Sequence, residues 1–341
     1  MKRPLVSVLL LACCGLASAA EPAAIRCEAS PYPTIGSIER LDPALDAVLA
    51  ADAPIEVLAE NFRWSEGPVW RPATGDLLFS DVPANTVYRW REASGAEVYL
   101  APSGDTGTVA GSSGEGANGL ALDAAGRLVL CQHGDRRVAR LGADGKSFEV
   151  LAERFEGKRF NSPNDLCFDH AGNLFFTDPP YGLARNATSE LGFSGVFRRA
   201  CDGAVTLLSR ELDRPNGIAL SPDEKTLYVA NSGERTFVAA FELHADGSVG
   251  PVRVLFDGTP LRNGGRAGLM DGLKVDTSGN LWATGPGGVL ILSAEGKHLG
   301  TILTTGPTAN CSFGGAGGTL LFITSNNRLL RVATRTRGAG Y

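Results

Sequence analysis

One phrase recurs along most of the chain. A polar residue, commonly followed by glycine, opens an alternating apolar run; a tight turn follows, then a second apolar run. The copies open at Glu66, Asn118, Asn164, Asn216, Asp271 and, more weakly, Asn310. Their second runs lie at 77–81, 128–131, 174–178, 227–231, 281–284 and 320–324, and the openings are spaced 52, 46, 52, 55 and 39 residues apart. Alternation with period two, rich in β-branched and aromatic residues and broken by glycine turns, predicts strand pairs. Further strand-like runs at 87–90, 137–141, 195–198 and 238–241 fill the intervals. About four strands per ~50 residues, six times over, predicts an all-β fold, a six-bladed β-propeller of antiparallel strands. A solenoid of this period lacks visible caps. Ring closure would pair the last runs, near 329–332, with a strand near 55–58, removing the exposed edges. One short helix is predicted, Ser37 to Ala50, where Leu41, Leu45 and Leu49 recur at i, i+4 and i+8 behind an Asp42 cap. The propeller is thus expected over 55–335, after an extension at 21–54 and before a tail at 336–341.

The N-terminus has another pattern. Met1-Lys2-Arg3 precedes an apolar stretch at 4–16 and the small residues Ala17-Ser18-Ala19-Ala20. This predicts a secretory signal peptide over 1–20 and an exported chain, periplasmic or secreted. The alternative is a lipoprotein box, Leu10-Leu11-Ala12-Cys13, that would anchor the chain through Cys13. No other apolar stretch is long enough to span a bilayer. Five cysteines lie beyond the leader, Cys27, Cys131, Cys167, Cys201 and Cys311, without a CxxC pair or metal-type spacing. An odd number leaves at least one thiol free, and Cys131 and Cys167 fall in apolar runs, as buried hydrophobes do. With 32 basic against 37 acidic residues, a net of −5, the chain lacks the basic surface that nucleic-acid binding requires. A closed ring is expected to be monomeric.

The opening residues carry the candidate chemistry. In a propeller they occupy equivalent places around one axis, so residues ~50 apart in sequence converge at one end of the central channel. Glu66, Asn118, Asn164, Asn216, Asp271 and Asn310 all offer oxygen. Carboxylates with amide oxygens, and neither histidine nor cysteine, suit a hard cation, Ca²⁺ before Mg²⁺, with Mn²⁺ or Zn²⁺ as further possibilities. The competing reading is that Asn-Gly and Asp-Gly merely form turns. There is no G-x-S-x-G elbow, no H-E-x-x-H and no phosphate-binding or dinucleotide fingerprint.

The chain also resembles the SMP-30/gluconolactonase family. The resemblance rests on Trp64-Ser-Glu-Gly-Pro-Val-Trp70, Phe79-Ser-Asp-Val-Pro83, Cys131-Gln-His-Gly-Asp-Arg-Arg-Val138, Asn161-Ser-Pro-Asn-Asp165, Thr177-Asp-Pro-Pro-Tyr-Gly182, Arg214-Pro-Asn-Gly217 and Met270-Asp-Gly272. It runs from about Ile35 to Val332 and implies one divalent ion at the channel mouth, held by Glu66, Asn216 and Asp271, with Asn164 binding directly or through water. It further implies hydrolysis of a sugar lactone to the open acid. The ion polarises the carbonyl. Asp271 is the candidate base, with a metal-bound water or His133 as alternatives. Asn118, His133 and Tyr181 are candidate substrate contacts, Tyr181 being presented by the stiff turn Asp178-Pro179-Pro180. The Gly/Ser-rich stretch 107–116 predicts a mobile loop near the mouth. The alternative function is a non-catalytic ligand- or protein-binding propeller with structural calcium, or a hydrolase of another lactone or ester. Four protein oxygens leave positions open on an ion that takes 6–8 ligands, as catalysis requires.

Overall fold

The computed structural model describes Met1 and residues 31–340; the signal peptide, its lipoprotein alternative and Cys27 lie outside the described residues. Residues from Tyr32 onward form one compact unit. Four-stranded antiparallel sheets make six blades, with the opening residue of each phrase at or just before the innermost strand. The inner strands are Ser65–Arg71, Ala117–Leu122, Leu166–Phe168, Pro215–Leu220, Leu273–Val275 and Asn310–Gly314. Each touches the next, and the last touches the first, so they close a ring around a channel. The ring is latched where Glu56–Glu60 pairs antiparallel with Arg328–Ala333, which makes the sixth blade from both ends of the propeller.

Side chains alternate across each strand, and the second strands are apolar at successive positions, so each blade has two apolar faces, and six cores fill the six gaps between blades. On the strand Asp76–Asp81, Leu77 and Phe79 pack with Phe322 and Leu329 of the sixth blade, while Leu78 packs with Leu120 and Leu130 of the second. The same logic places Phe176 against the second blade and Phe175 against the fourth. Every blade is buried on both sides, so the ring is held by side-chain packing all the way round.

The region 37–50 differs from the expectation. Ser37–Arg40 is a strand, added to the outer edge of the fifth blade along His298–Leu303. Helical turns are confined to a 3₁₀ segment, Pro43–Ala47, capped by Asp42, whose carboxylate accepts from the Ala44 amide at 2.9 Å. Leu45 and Leu49 are fully buried, whereas Leu41 is 54 % exposed. An open sheet edge offers unpaired N–H and C=O groups, and pairing with it outweighs the weak propensity of a short amphipathic run. The four described cysteines, Cys131, Cys167, Cys201 and Cys311, are free thiols. Among the described residues no helix is long and apolar enough to cross a membrane.

The glycine after an opening residue serves close approach more than turning. A Cβ on Gly67 would lie 2.1 Å from the Asn118 carbonyl, on Gly217 2.2 Å from the Asp271 carbonyl, and on Gly272 2.1 Å from the Asn310 side chain. Each of these glycines therefore lets one inner strand lie directly against the opening residue of the next blade. Hydroxyls from the second strands staple the same places: Ser80 donates to Asn118 O at 2.8 Å and Thr177 to Asn216 O at 2.7 Å.

Candidate functional site

The loops that deliver the opening residues are fixed first. Asp81 accepts from the amides of Arg63 and Trp64, Asp178 from those of Asn161 and Ser162, and Asn231 Oδ1 from that of Arg214. Each acceptor is the last or next-to-last residue of the second strand of its blade, so strand register sets where the loop stands.

Those loops surround one cavity of about 470 Å³ at the channel mouth. Glu66, Asn118, His133, Asn164, Tyr181, Asn216 and Asp271 all line it. The three asparagines form a directed chain. Asn118 Nδ2 donates to Asn164 Oδ1 at 3.0 Å, Asn164 Nδ2 to Asn216 Oδ1 at 2.7 Å, and Asn216 Nδ2 to Ser232 Oγ at 3.1 Å. Ser232 Oγ in turn donates to Met270 O, which fixes the direction of the whole chain. Ser232 went unnoticed in the sequence because it lies at the end of a second strand, outside the opening residues.

Two side-chain atoms of the cavity-lining residues lack a partner. Asn118 Oδ1 and Asp271 Oδ1 are shielded from solvent and make no hydrogen bond. A buried polar oxygen left unpaired costs free energy. Two such oxygens beside the carboxylate of Glu66, which is 3 % exposed, fit a cation. Protonation tells the same story. Burial, with Asp165 nearby, pushes Glu66 up to about 7. Burial, with Glu66 and Asp165 as like charges, pushes Asp271 well above the carboxylate range. Carboxylates crowded in this way need a positive charge among them. Among the described residues no three His, Cys, Asp or Glu side chains group as a metal site; here two carboxylates are completed by amide oxygens, a hard-cation donor set.

The sixth opening residue behaves otherwise. Asn310 is absent from the cavity wall and lies one layer deeper, where its Nδ2 bridges Glu66 Oε2 at 3.3 Å and Asp165 Oδ2 at 3.2 Å. The expectation that all six opening oxygens meet at the mouth therefore holds for five.

His133 is 2 % exposed. Its Nδ1 lies 3.0 Å from Glu115 Oε2 and its Nε2 3.3 Å from Asn164 Oδ1. Glu115 comes from the Gly/Ser-rich stretch, which is tied down at many points. Thr108 donates to Asp135, Ser112 to Asp105, and the Gly116 amide to Val82 O. Through Glu115 the stretch supplies part of the cavity wall. Tyr181 also lines the cavity, 38 % exposed, with the Arg214 guanidinium 5.7 Å from its ring centre. Burial, and then the charge of Asp271, pushes its hydroxyl up to about 12. The backbone beside it presses on His133: a Cβ on Gly182 would lie 2.5 Å from the His133 Cβ. The rim adds Trp64, Val82, Pro83 and Leu269, apolar surface suited to the face of a small ring.

Comparison with known proteins places the chain in a family. Residues 64–327 match the sequence model of the SMP-30/Gluconolactonase/LRE-like region. A gluconolactonase of Zymomonas mobilis is 41 % identical over 320 residues, covering 89 % of this chain and 88 % of its own. A gluconolactonase of Xanthomonas campestris, of known structure, is 35 % identical with a TM-score of 0.78, covering 90 % of this chain and all of its own. Regucalcin of Sus scrofa is 29 % identical over 273 residues, covering 79 % of this chain and 85 % of its own. The family match spans most of the propeller and includes every residue of the cavity wall, so the chain belongs to the SMP-30/gluconolactonase/LRE-like family.

Proposed function

We propose that this protein is a lactonase that opens a sugar lactone of the gluconolactone type to its aldonic acid, and that it works with one divalent cation, Ca²⁺ foremost. The observation that carries this reading is the unpartnered buried Asp271 Oδ1 beside the buried Glu66 carboxylate, in a cavity walled by Asn164 and Asn216, with a second unpartnered oxygen, Asn118 Oδ1, left to face the substrate. The gluconolactonase relatives support the reaction class. Glu66, Asn164, Asn216 and Asp271 would hold the ion. When bound, it supplies a Lewis acid for the lactone carbonyl and positive charge for the developing oxyanion.

The chain's own groups do the rest. Hydrolysis adds a water oxygen to the carbonyl carbon, breaks the ring C–O bond and returns a proton to the ring oxygen. Asp271 presents its free Oδ1 as acceptor for the water proton. His133, backed by Glu115, is the second group able to take it, since a carboxylate that shares a cation is a weak base. The Asn118 amide and the Tyr181 hydroxyl contact substrate oxygens. The apolar rim covers the ring and excludes bulk water. We further propose that the leader at 1–20 exports the chain, which N-terminal sequencing of the protein recovered from a periplasmic extract would check.

The test is proton release from glucono-1,5-lactone, with spontaneous hydrolysis subtracted. The wild type is expected to accelerate release, and Asp271→Asn to lose about 10²-fold or more of kcat. Asp271→Asn with full activity would remove it as base. No activity on any lactone of a broad panel, with a cation bound, would favour a binding role.

A further inference from the structure

Beneath the cavity lies a second polar layer that the proposed reaction does not use. Asn310 sits at its centre, 2 % exposed. Its Nδ2 donates to both Glu66 and Asp165, and its Oδ1 accepts from the Cys311 amide at 2.9 Å and from Lys274 Nζ at 3.5 Å. Lys274 Nζ also donates to Leu273 O at 3.0 Å. Asp165 is 1 % exposed, and its Oδ1 accepts from the Leu166 amide at 2.9 Å. Lys274 lines a separate cavity on the opposite side from the mouth, so its ammonium reaches the layer from below. Its positive charge acts on both Glu66 and Asp165.

The charges can be counted. Glu66, Asp165 and Asp271 bring three carboxylates into the channel, and Lys274 brings one ammonium. Glu115, on the wall above, faces His133 and keeps about a third of its side chain in solvent, which screens it. With these carboxylates ionised, as they are once a bound cation displaces their protons, the channel is short of two positive charges, the charge of one divalent cation. In a low-dielectric channel an unbalanced unit charge is felt strongly by an ion a few ångströms away. Second-layer partners of this kind orient ligands and tune metal sites.

We infer that Lys274 and Asp165 are charge-setting positioning residues, which match the channel to a divalent rather than a trivalent cation and act on Glu66 through Asn310. This inference rests on the proposed cation site.

The experiment titrates the purified full chain with Ca²⁺ and, separately, with La³⁺ by calorimetry, near neutral pH, and reads the ratio of the two affinities. Lys274→Met leaves three negative charges, and its La³⁺/Ca²⁺ ratio is expected to rise about tenfold or more over wild type; Asp165→Asn leaves one, and its ratio is expected to fall by a similar factor. The double variant Lys274→Met/Asp165→Asn restores two and is expected to return to the wild-type ratio. Loss of packing alone would not move the ratio in opposite directions and then restore it. Ratios within twofold of wild type in the folded single variants, or a double variant displaced from wild type, would overturn the inference. If Lys274→Met does not fold, Asp165→Asn and the double variant still decide it. A wild type that binds neither ion would sink the cation site itself, whereas a wild type that binds while the variants change nothing would sink only the role of Lys274 and Asp165.

Discussion

Glu66 and Asp271 show how a residue's chemistry depends on what stands around it. Burial, with the like charge of Asp165, holds a proton on Glu66 up to about pH 7, against an ordinary carboxyl value of 4.5. The sign follows by linkage. In the chelated protein the folded state keeps a proton that the unfolded chain releases above its ordinary value. Stability without cation should therefore be greatest below about pH 4.5 with respect to this group, and fall as pH rises towards about 7. A cation displaces that proton, so its affinity should rise across the same window. Melting curves in EDTA, together with calorimetry in buffers of different ionisation enthalpy, check both halves. A melting temperature in EDTA that rises from pH 5 to 8 would contradict the account. The identities of Glu66, Asn118, Asn164, Asn216 and Asp271 were legible in the sequence because each opens a repeat. Asp165, Lys274 and Glu115 were not. The first two follow an opening residue and face a deeper layer, and Glu115 enters from a loop outside the repeat.

At the scale of the element, the recurring glycine is the informative position. Asn-Gly and Asp-Gly invite a turn reading, yet Gly217 stands where a methyl group would meet the Asp271 carbonyl at 2.2 Å. Gly217→Ala forces the fourth and fifth inner strands apart and displaces a candidate ligand. It should cost about 1–3 kcal/mol and weaken cation binding. Gly317→Ala, with nothing nearer than 3.6 Å to its new methyl, serves as the control and should leave both unchanged. Equal melting temperatures for the two variants would refute the close-approach argument. Strands and turns were readable because their alternation is uninterrupted. The segment 37–50 was not, because spacing alone cannot tell that the fifth blade has an edge waiting for a partner. Leu45 and Leu49 face inward as the helical spacing suggested, but a strand and a 3₁₀ turn bring them there.

The whole molecule turns a linear repeat into a site. Six apolar gaps hold six blades in a ring, and the pairing of Glu56–Glu60 with Arg328–Ala333 closes it. Closure brings Glu66, near the start of the propeller, into the same cavity as Asp271, about two hundred residues later. No local feature of either residue announces the other; the period of the repeat does. Because the cation would bind only where the blades meet, it should stabilise the ring as a unit, and hydrolysis should depend on it. The most direct measurement is proton release from glucono-1,5-lactone by one preparation, before EDTA, after EDTA, and after adding back Ca²⁺, Mg²⁺, Mn²⁺ or Zn²⁺ singly, with spontaneous hydrolysis subtracted. The account predicts that chelation abolishes the enzymatic rate and that at least one ion, Ca²⁺ foremost, restores it. An undiminished rate in the fully chelated protein, its metal content verified as nil, would contradict it.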